Sequence, residues 1–277
     1  MENYALYFDS NRQVWNERTR VHVQSKFYDV AAFKEGKLSL TPLELEEMQD
    51  EVTGKSLLHL QCHFGLDTLS WARLGAHATG IDLSDVAIAE AQKLNQELGL
   101  DARFVCANVY ELPAHLQGQF DVVYTSFGVV GWLPDLDRWA AVIAHFLKPG
   151  GVFYLAEFHP VVWMFDDNFQ YVQYAYHNTH QPIITQNQGT YTDRSAPIAG
   201  TEYSWNHGLA EVINALLSQG LQLEFLHEFP YSPYNCFNNT EQSPDGNWRI
   251  KNMADKIPMV YSLKARKMAS HSAPDKQ

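Results

Sequence analysis

Between residues 55 and 158 short apolar runs alternate with amphipathic stretches. The runs fall at 56–60, 77–81, 102–106, 120–125 and 151–157. Between them, 66–74, 85–98 and 135–147 repeat apolar residues at spacings of three and four, which predicts helices with one buried face. Gly75, Gly99 and the Pro149-Gly150-Gly151 break stand just past these stretches, where helices stop. Strands alternating with helices predict a doubly wound α/β fold, a mostly parallel sheet covered on both faces. Such sheets bind ligands beyond the carboxyl ends of their strands.

The flanks differ from this core. Thr41-Pro42-Leu43-Glu44 predicts a helix start: Thr41 caps, Pro42 suits the first helical position, and Glu44 closes a capping box. Residues 1–54 therefore read as a helical extension packed on the core, with Trp15, Phe27, Tyr28 and Phe33 among its charges. Downstream, 206–219 predicts a helix ended by Gly220. "LQLEFLHEF" (221–229) and "PMVYSLKAR" (258–266) predict two strands pairing antiparallel at the sheet edge. Residues 161–205 are rich in aromatics, and "QYVQYAYH" (170–177) alternates at period two, which predicts an inserted β-arm or lid. The expected organisation is an extension (1–54), a core (55–160 and 206–267), an insert (161–205) and a tail (268–277).

Charge narrows the partners. The 277 residues carry a formal net charge of −12 with no Lys/Arg-rich run, which argues against nucleic acid and anionic membrane surfaces. No stretch approaches the ~18 consecutive apolar residues of a membrane span. The N-terminal "MENYALYFDSN" lacks a basic region before an apolar run, so it does not read as a secretory leader. Cys62, Cys106 and Cys236 are odd in number and far apart, as expected of reduced thiols in a cytoplasmic protein.

Chemistry concentrates at strand ends. "LLHLQCHFGLDT" (57–68) reads three ways: a nucleotide-binding turn short of glycines, a metal cluster, or a plain connection. His59, Cys62 and His63 lack a fourth ligand at metal-site spacing elsewhere in the chain, so no metal is expected. Asp82 ends the second strand 17 residues after Gly65, a spacing at which a carboxylate reaches ribose hydroxyls. A helix-start acid favoured by the macrodipole is the plainer alternative. Asn108 follows the third strand, and Ser126 and Phe127 the fourth. Glu157 and His159 lie where an acceptor would meet the fifth.

Taken in order, "LLHLQCHFG", "GIDLS", "ARFVCANVYELP", "FDVVYTSFGVVGW" and "FLKPGGVFYLAE" resemble the class I S-adenosylmethionine-dependent methyltransferase family of the small-molecule type. The likeness is strong over 55–160 and weak over 206–266. It implies a Rossmann-like seven-stranded sheet with an antiparallel edge hairpin, S-adenosylmethionine as cofactor, and methyl transfer to a small, apolar or aromatic acceptor. The family's Asp-x-Gly-x-Gly-x-Gly stands here as His59, Gln61, His63 and Gly65, so one glycine is kept. Carried over, Gln61, Cys62, His63 and Gly65 cradle the methionine end, Asp82 takes the ribose hydroxyls and Leu83 packs on the adenine. Asn108 and the Val109 amide then meet the adenine edge, and Ser126 and Phe127 face the methyl group. Tyr28 and Trp15 close over the site, and His159 and Glu157 are the candidate acid–base groups. A dedicated base is not required, because displacement at a sulfonium runs on proximity and desolvation. Two rivals stand beside this reading: a non-catalytic binder on the same fold, and an NAD-dependent oxidoreductase, against which the missing glycines weigh. The insert serves equally as a lid or as a homodimer contact.

Overall fold

The computed structural model describes residues 4–268, so Met1–Asn3 and the tail from Ala269 lie outside the described residues. The core sheet contains β1 (Ser56–Leu60), β2 (His77–Asp82), β3 (Arg103–Cys106), β4 (Phe120–Thr125), β5 (Leu147–Phe158), β8 (Leu221–Phe229) and β11 (Val260–Lys267). Their order is β3-β2-β1-β4-β5-β11-β8, with β11 antiparallel to both neighbours and the remaining pairs parallel. The chain winds one way from β1 to β3 and the other way from β4 onward. The crevice between β1 and β4 is therefore the switch point at which such sheets bind ligands.

Both sheet faces are apolar, which is why the parallel strands read as continuous apolar runs. On one face Leu58, Leu60, Val123 and Phe153 pack under α7 (Leu136–Phe146) and α8 (Leu209–Ser218), through Trp139, Ile143 and Val212. On the other, Leu57, Val122, Tyr124 and Tyr154 meet α3 (Pro42–Val52) and α4 (Leu66–Arg73), through Met48, Val52 and Trp71. The capping box acts where the sequence placed it, and a second cap joins it. Thr41 and Glu44 form the capping box of α3, and Ser84 Oγ accepts from Ala87 N at 3.0 Å to start α5 (Asp85–Glu97). A short α6 (Leu112–His115) links β3 to β4.

Three expectations change. Residues 170–177 form no strand: Asp166 Oδ1 accepts the amides of Gln170 (2.6 Å) and Tyr171 (3.0 Å), so a side chain takes backbone donors that a ladder would need. The arm instead pairs β6 (Ile183–Gln188) with β7 (Ala199–Ser204). The connection from β8 to β11 carries a small hairpin, β9 (Thr240–Gln242) with β10 (Trp248–Ile250), that period-two reading missed. Finally, β5 begins at Leu147, which pairs with Phe120 ahead of the Pro-Gly-Gly turn.

In the extension, α1 (Ala5–His22) and the short α2 (Val30–Lys34) precede α3. Helix α1 lies across the carboxyl ends of β3, β2 and β1. Phe8 packs on Tyr110, Asn16 bonds Ser84 and Asp85, and His22 meets His63. Its other edge is fastened to the arm, where Asn11 donates to Tyr203 O (2.8 Å) and accepts from Tyr203 N (3.0 Å). Helix and arm thus form one layer over the strand ends. Among the described residues no helix is long and apolar enough to cross a membrane.

Candidate active site

The turn after β1 keeps a glycine-like backbone without the glycines. Gln61 and His63 adopt φ of 57° and 51°, and Gly65 adopts 82°. This left-handed region strains residues that carry a Cβ, by roughly 1–2 kcal/mol each. The turn is pinned regardless: Cys62 N donates to Ile81 O at 2.8 Å, and Gly65 N to Cys62 O at 2.9 Å. At Gly65 a Cβ would stand 2.7 Å from the Phe104 ring and 2.9 Å from Ala91. Gly65→Ala is accordingly expected to lower stability by about 2–4 kcal/mol, combining φ strain with overpacking; urea denaturation measures it. A loss under about 0.5 kcal/mol would mean that the turn rearranges freely.

His59, buried at 1% exposure, holds this turn to the end of β4, with Nδ1 2.8 Å from Thr68 Oγ1 and Nε2 3.1 Å from Ser126 Oγ. Burial lowers its pKa to about 3, so the imidazole is neutral. Cys62 is buried and its thiol is pushed up by that burial, which suits packing rather than nucleophilic attack.

Asp82 joins the strand ends. Its Oδ2 accepts the His63 amide at 2.8 Å and its Oδ1 the Ser84 amide at 2.8 Å. Burial raises its pKa to about 6, outweighing the amides that favour the charged form. Leu83 follows it, half-buried. Across from β2, Asn108 Oδ1 accepts the Tyr110 amide at 3.1 Å and caps the single 3-10 turn Val109–Glu111, with Val109 buried beneath. Gln61, His63, Asp82, Asn108 and Ser126 therefore share one edge of the sheet, as the sequence predicts.

The two candidate acid–base residues do not join them in the expected way. Glu157 is 3% exposed, and its carboxylate is fully engaged: Oε1 accepts from Gly128 N (2.6 Å) and Phe158 N (2.6 Å), Oε2 from Val129 N (2.8 Å) and Val130 N (3.0 Å). Four amides fill its lone-pair directions, so the geometry gives it the task of shaping the loop after β4 rather than moving a proton. His159 is buried with Nδ1 accepting Val161 N at 3.1 Å and Nε2 2.8 Å from Glu228 Oε1. It is tied to β8 rather than to the His63 turn.

The covering layer adds contacts that no linear spacing showed. His63 Nε2 lies 2.9 Å from His22 Nδ1, and His22 Nε2 lies 2.6 Å from Thr190 Oγ1. Burial lowers both imidazoles, His22 to about 3. Trp15 stacks edge-on against His63 (5.3 Å) and Trp132 (5.5 Å). Tyr28 packs on Phe64 at 4.8 Å, and its hydroxyl bonds that of Tyr191 on the arm. Phe127 meets Phe158 (5.5 Å) and Tyr234 (5.6 Å), and Tyr234 also meets Phe27 (5.4 Å). An aromatic wall thus rises beside Ser126. Trp15 and Tyr28 lie where the sequence places them. Arg18 and His22 fall on the 8-11-15-18-22 stripe of α1. Tyr191 belongs to the aromatic insert 161–205, whereas Thr190 and Tyr234 carried no local signal.

Comparison with known proteins agrees with this geometry. Residues 57–151 match the family model described as "Methyltransferase domain". A ubiquinone biosynthesis O-methyltransferase of Aromatoleum aromaticum is 34% identical over 114 residues, 40% of this chain and 48% of that protein. The chain spans about half the length of the curated relatives it matches. Among solved structures, an S-adenosylmethionine-dependent methyltransferase described as putative, from Listeria monocytogenes, superposes with a TM-score of 0.59 at 19% identity, covering 82% of this chain and 96% of that one. A glycopeptide N-methyltransferase complexed with S-adenosylmethionine gives 0.52 at 16% identity, covering 82% and 87%. Residues 57–151 thus match a methyltransferase domain, and the sheet built around them has the fold of the S-adenosylmethionine-dependent methyltransferase structures it superposes on.

Proposed function

We propose that this protein transfers a methyl group from S-adenosylmethionine to a small organic acceptor with an apolar or aromatic body. The observation that carries the reading is Asp82, a strand-end carboxylate hydrogen-bonded to the amide of His63 in the turn that the family uses for its cofactor. The residues present fit that group. Gln61 Oε1 is buried with no hydrogen-bond partner among the described residues, an acceptor awaiting a donor. Asp82 keeps lone pairs for two hydroxyls.

In this reading Asp82 holds the ribose, Leu83 the adenine face, and Asn108 with the Val109 amide the adenine edge. Gln61, Cys62, His63 and Gly65 hold the methionine end. When bound, the cofactor supplies a methyl carbon on a positively charged sulfur. Ser126 and Phe127 flank the space into which that carbon is delivered. Trp15, Tyr28 and the arm exclude water, and the wall of Phe27, Phe127 and Tyr234 orients the acceptor. With Glu157 spent on its loop, rate comes from alignment and desolvation.

Calorimetry with S-adenosylhomocysteine tests the reading. Saturable binding to folded protein is expected, and absence of heat at millimolar ligand would sink it. One observation favours a second reading, a binder without turnover: Gln61 and His63 carry side chains where the family has glycines, and His63 is locked to His22. Cofactor binding without methylation across a broad acceptor panel would support it. The same side chains obstruct the close backbone approach that a dinucleotide pyrophosphate needs.

A further inference from the structure

We propose that the acceptor of this site carries a protonated amine, and that Asp67 is the carboxylate that holds it beside the aromatic wall. The proposal rests on the methyl-transfer reading above. Asp67 stands in the first turn of α4, where Ser39 Oγ donates to its Oδ1 at 2.5 Å. Among the described residues its carboxylate makes no other hydrogen bond, and no Lys or Arg pairs with it. Glu44 is the second acid here, with Oε2 accepting from Thr41 N at 2.8 Å and Oε1 from the Tyr124 hydroxyl. Burial, and after it the Asp67 charge, raises Glu44 to about 7, and burial raises Asp67 as well. Two carboxyls in a dry place disfavour each other's charge, and one cation relieves both. Glu44 is spent on the cap of α3 and on Tyr124. Asp67 is not.

Asp67 opens onto the aromatic wall rather than onto bulk solvent. Burial raises Asp67, Tyr28, Tyr191 and Tyr234 alike, yet each keeps part of its surface accessible. Accessible surface on side chains this deep belongs to a hollow inside the fold. The Asp67 charge is felt at the Tyr28 and Tyr191 hydroxyls, and the Glu44 charge at that of Tyr234. Ring contacts join these walls: Phe127 to Tyr234 (5.6 Å), Tyr234 to Phe27 (5.4 Å), Phe27 to Tyr191 (5.5 Å) and Tyr191 to Tyr28 (6.5 Å). The methyl-transfer space is tied to the same turn. Thr68, next to Asp67, bonds His59 Nδ1 at 2.8 Å, and His59 Nε2 reaches Ser126 Oγ at 3.1 Å. A deep carboxylate among electron-rich rings matches an ammonium, through a charge-assisted hydrogen bond and cation–π attraction. A neutral acceptor would leave that carboxylate buried and uncompensated.

The test uses 2-phenylethylamine and its neutral counterpart 2-phenylethanol, titrated by calorimetry near pH 8, where the amine is protonated. Wild type and Asp67→Asn are first saturated with S-adenosylhomocysteine. Wild type is expected to prefer the amine by roughly tenfold or more, and Asp67→Asn to bind both probes alike. The variant's own affinity for S-adenosylhomocysteine is expected to stay unchanged. Wild type that takes both probes equally, or neither, overturns the proposal. So does a variant that keeps the preference, including one that keeps it while losing affinity for S-adenosylhomocysteine, since the carboxylate would then serve the cofactor. If wild type binds no S-adenosylhomocysteine, the methyl-transfer reading falls by itself, and the two probes on free protein still decide whether Asp67 selects an amine. Asparagine retains an acceptor for Ser39; should that variant fail to fold, Asp67→Leu removes the buried polar group altogether and gives the same readout.

Discussion

Replacing Glu157 with alanine is expected to cost about 3–5 kcal/mol of folding stability, because it orphans several buried amide donors at once. Its carboxylate gathers the amides of Gly128, Val129, Val130 and Phe158 and so fixes the loop between β4 and α7. Alanine leaves those four donors buried, and each unmade bond costs about 1–3 kcal/mol before relaxation. Glu157→Gln keeps the shape but turns an amide donor toward two other donors, so an intermediate loss is expected. Urea denaturation of both variants measures this. A change below about 1 kcal/mol in Glu157→Ala would show that the loop holds its own shape. Because Phe127, Gly128 and Val129 border the proposed methyl-transfer space, the same variant is expected to lose turnover in the fraction that stays folded.

Asp82→Ala is expected to weaken S-adenosylhomocysteine binding by about tenfold to a hundredfold, or about 1.4–2.8 kcal/mol. The pH dependence gives a sharper test. Burial holds the Asp82 pKa at about 6, above its ordinary 3.8, so the folded state keeps the proton longer than the unfolded chain does. The contribution to stability is therefore full below about 4 and is lost as pH rises through about 6, up to about 3 kcal/mol for a shift of this size. Cofactor affinity runs the opposite way. The ionised carboxylate is the better acceptor for two hydroxyls, so binding should tighten from pH 5 to pH 7 and then level. His22 and His59, held near 3, do not titrate in that window. Asp82→Asn should flatten the profile, and an unchanged slope in that variant would remove Asp82 from the cofactor.

Much of this was legible before folding because it is local. Thr41 and Glu44 and the Gly75 and Gly99 stops act within one helical turn, so a linear reading places them. Strand ends follow from the apolar runs, and once the sheet is parallel, all its carboxyl ends share one edge. That suffices to bring Gln61, Asp82, Asn108 and Ser126 together. Period two misled at 170–177, where alternating tyrosines gave way to the turn captured by Asp166. The same reading passed over β9 and β10, strands of three residues each, too short to show a period.

The sequence by itself determined the alternating core, its caps and the edge on which a ligand would sit, since each depends on spacing within one element. The tertiary structure alone decided what the residues on that edge do. Glu157 reads as an acid at a strand end until the β4 loop folds back and delivers four amides to it. His63 reads as a lost glycine until α1 arrives with His22 and Trp15. Arg18 is one of the charges of the extension until the arm, more than 180 residues later, sets Glu202 against it. Hydrogen-bond satisfaction and desolvation are properties of the assembled surroundings, and no local spacing contains them.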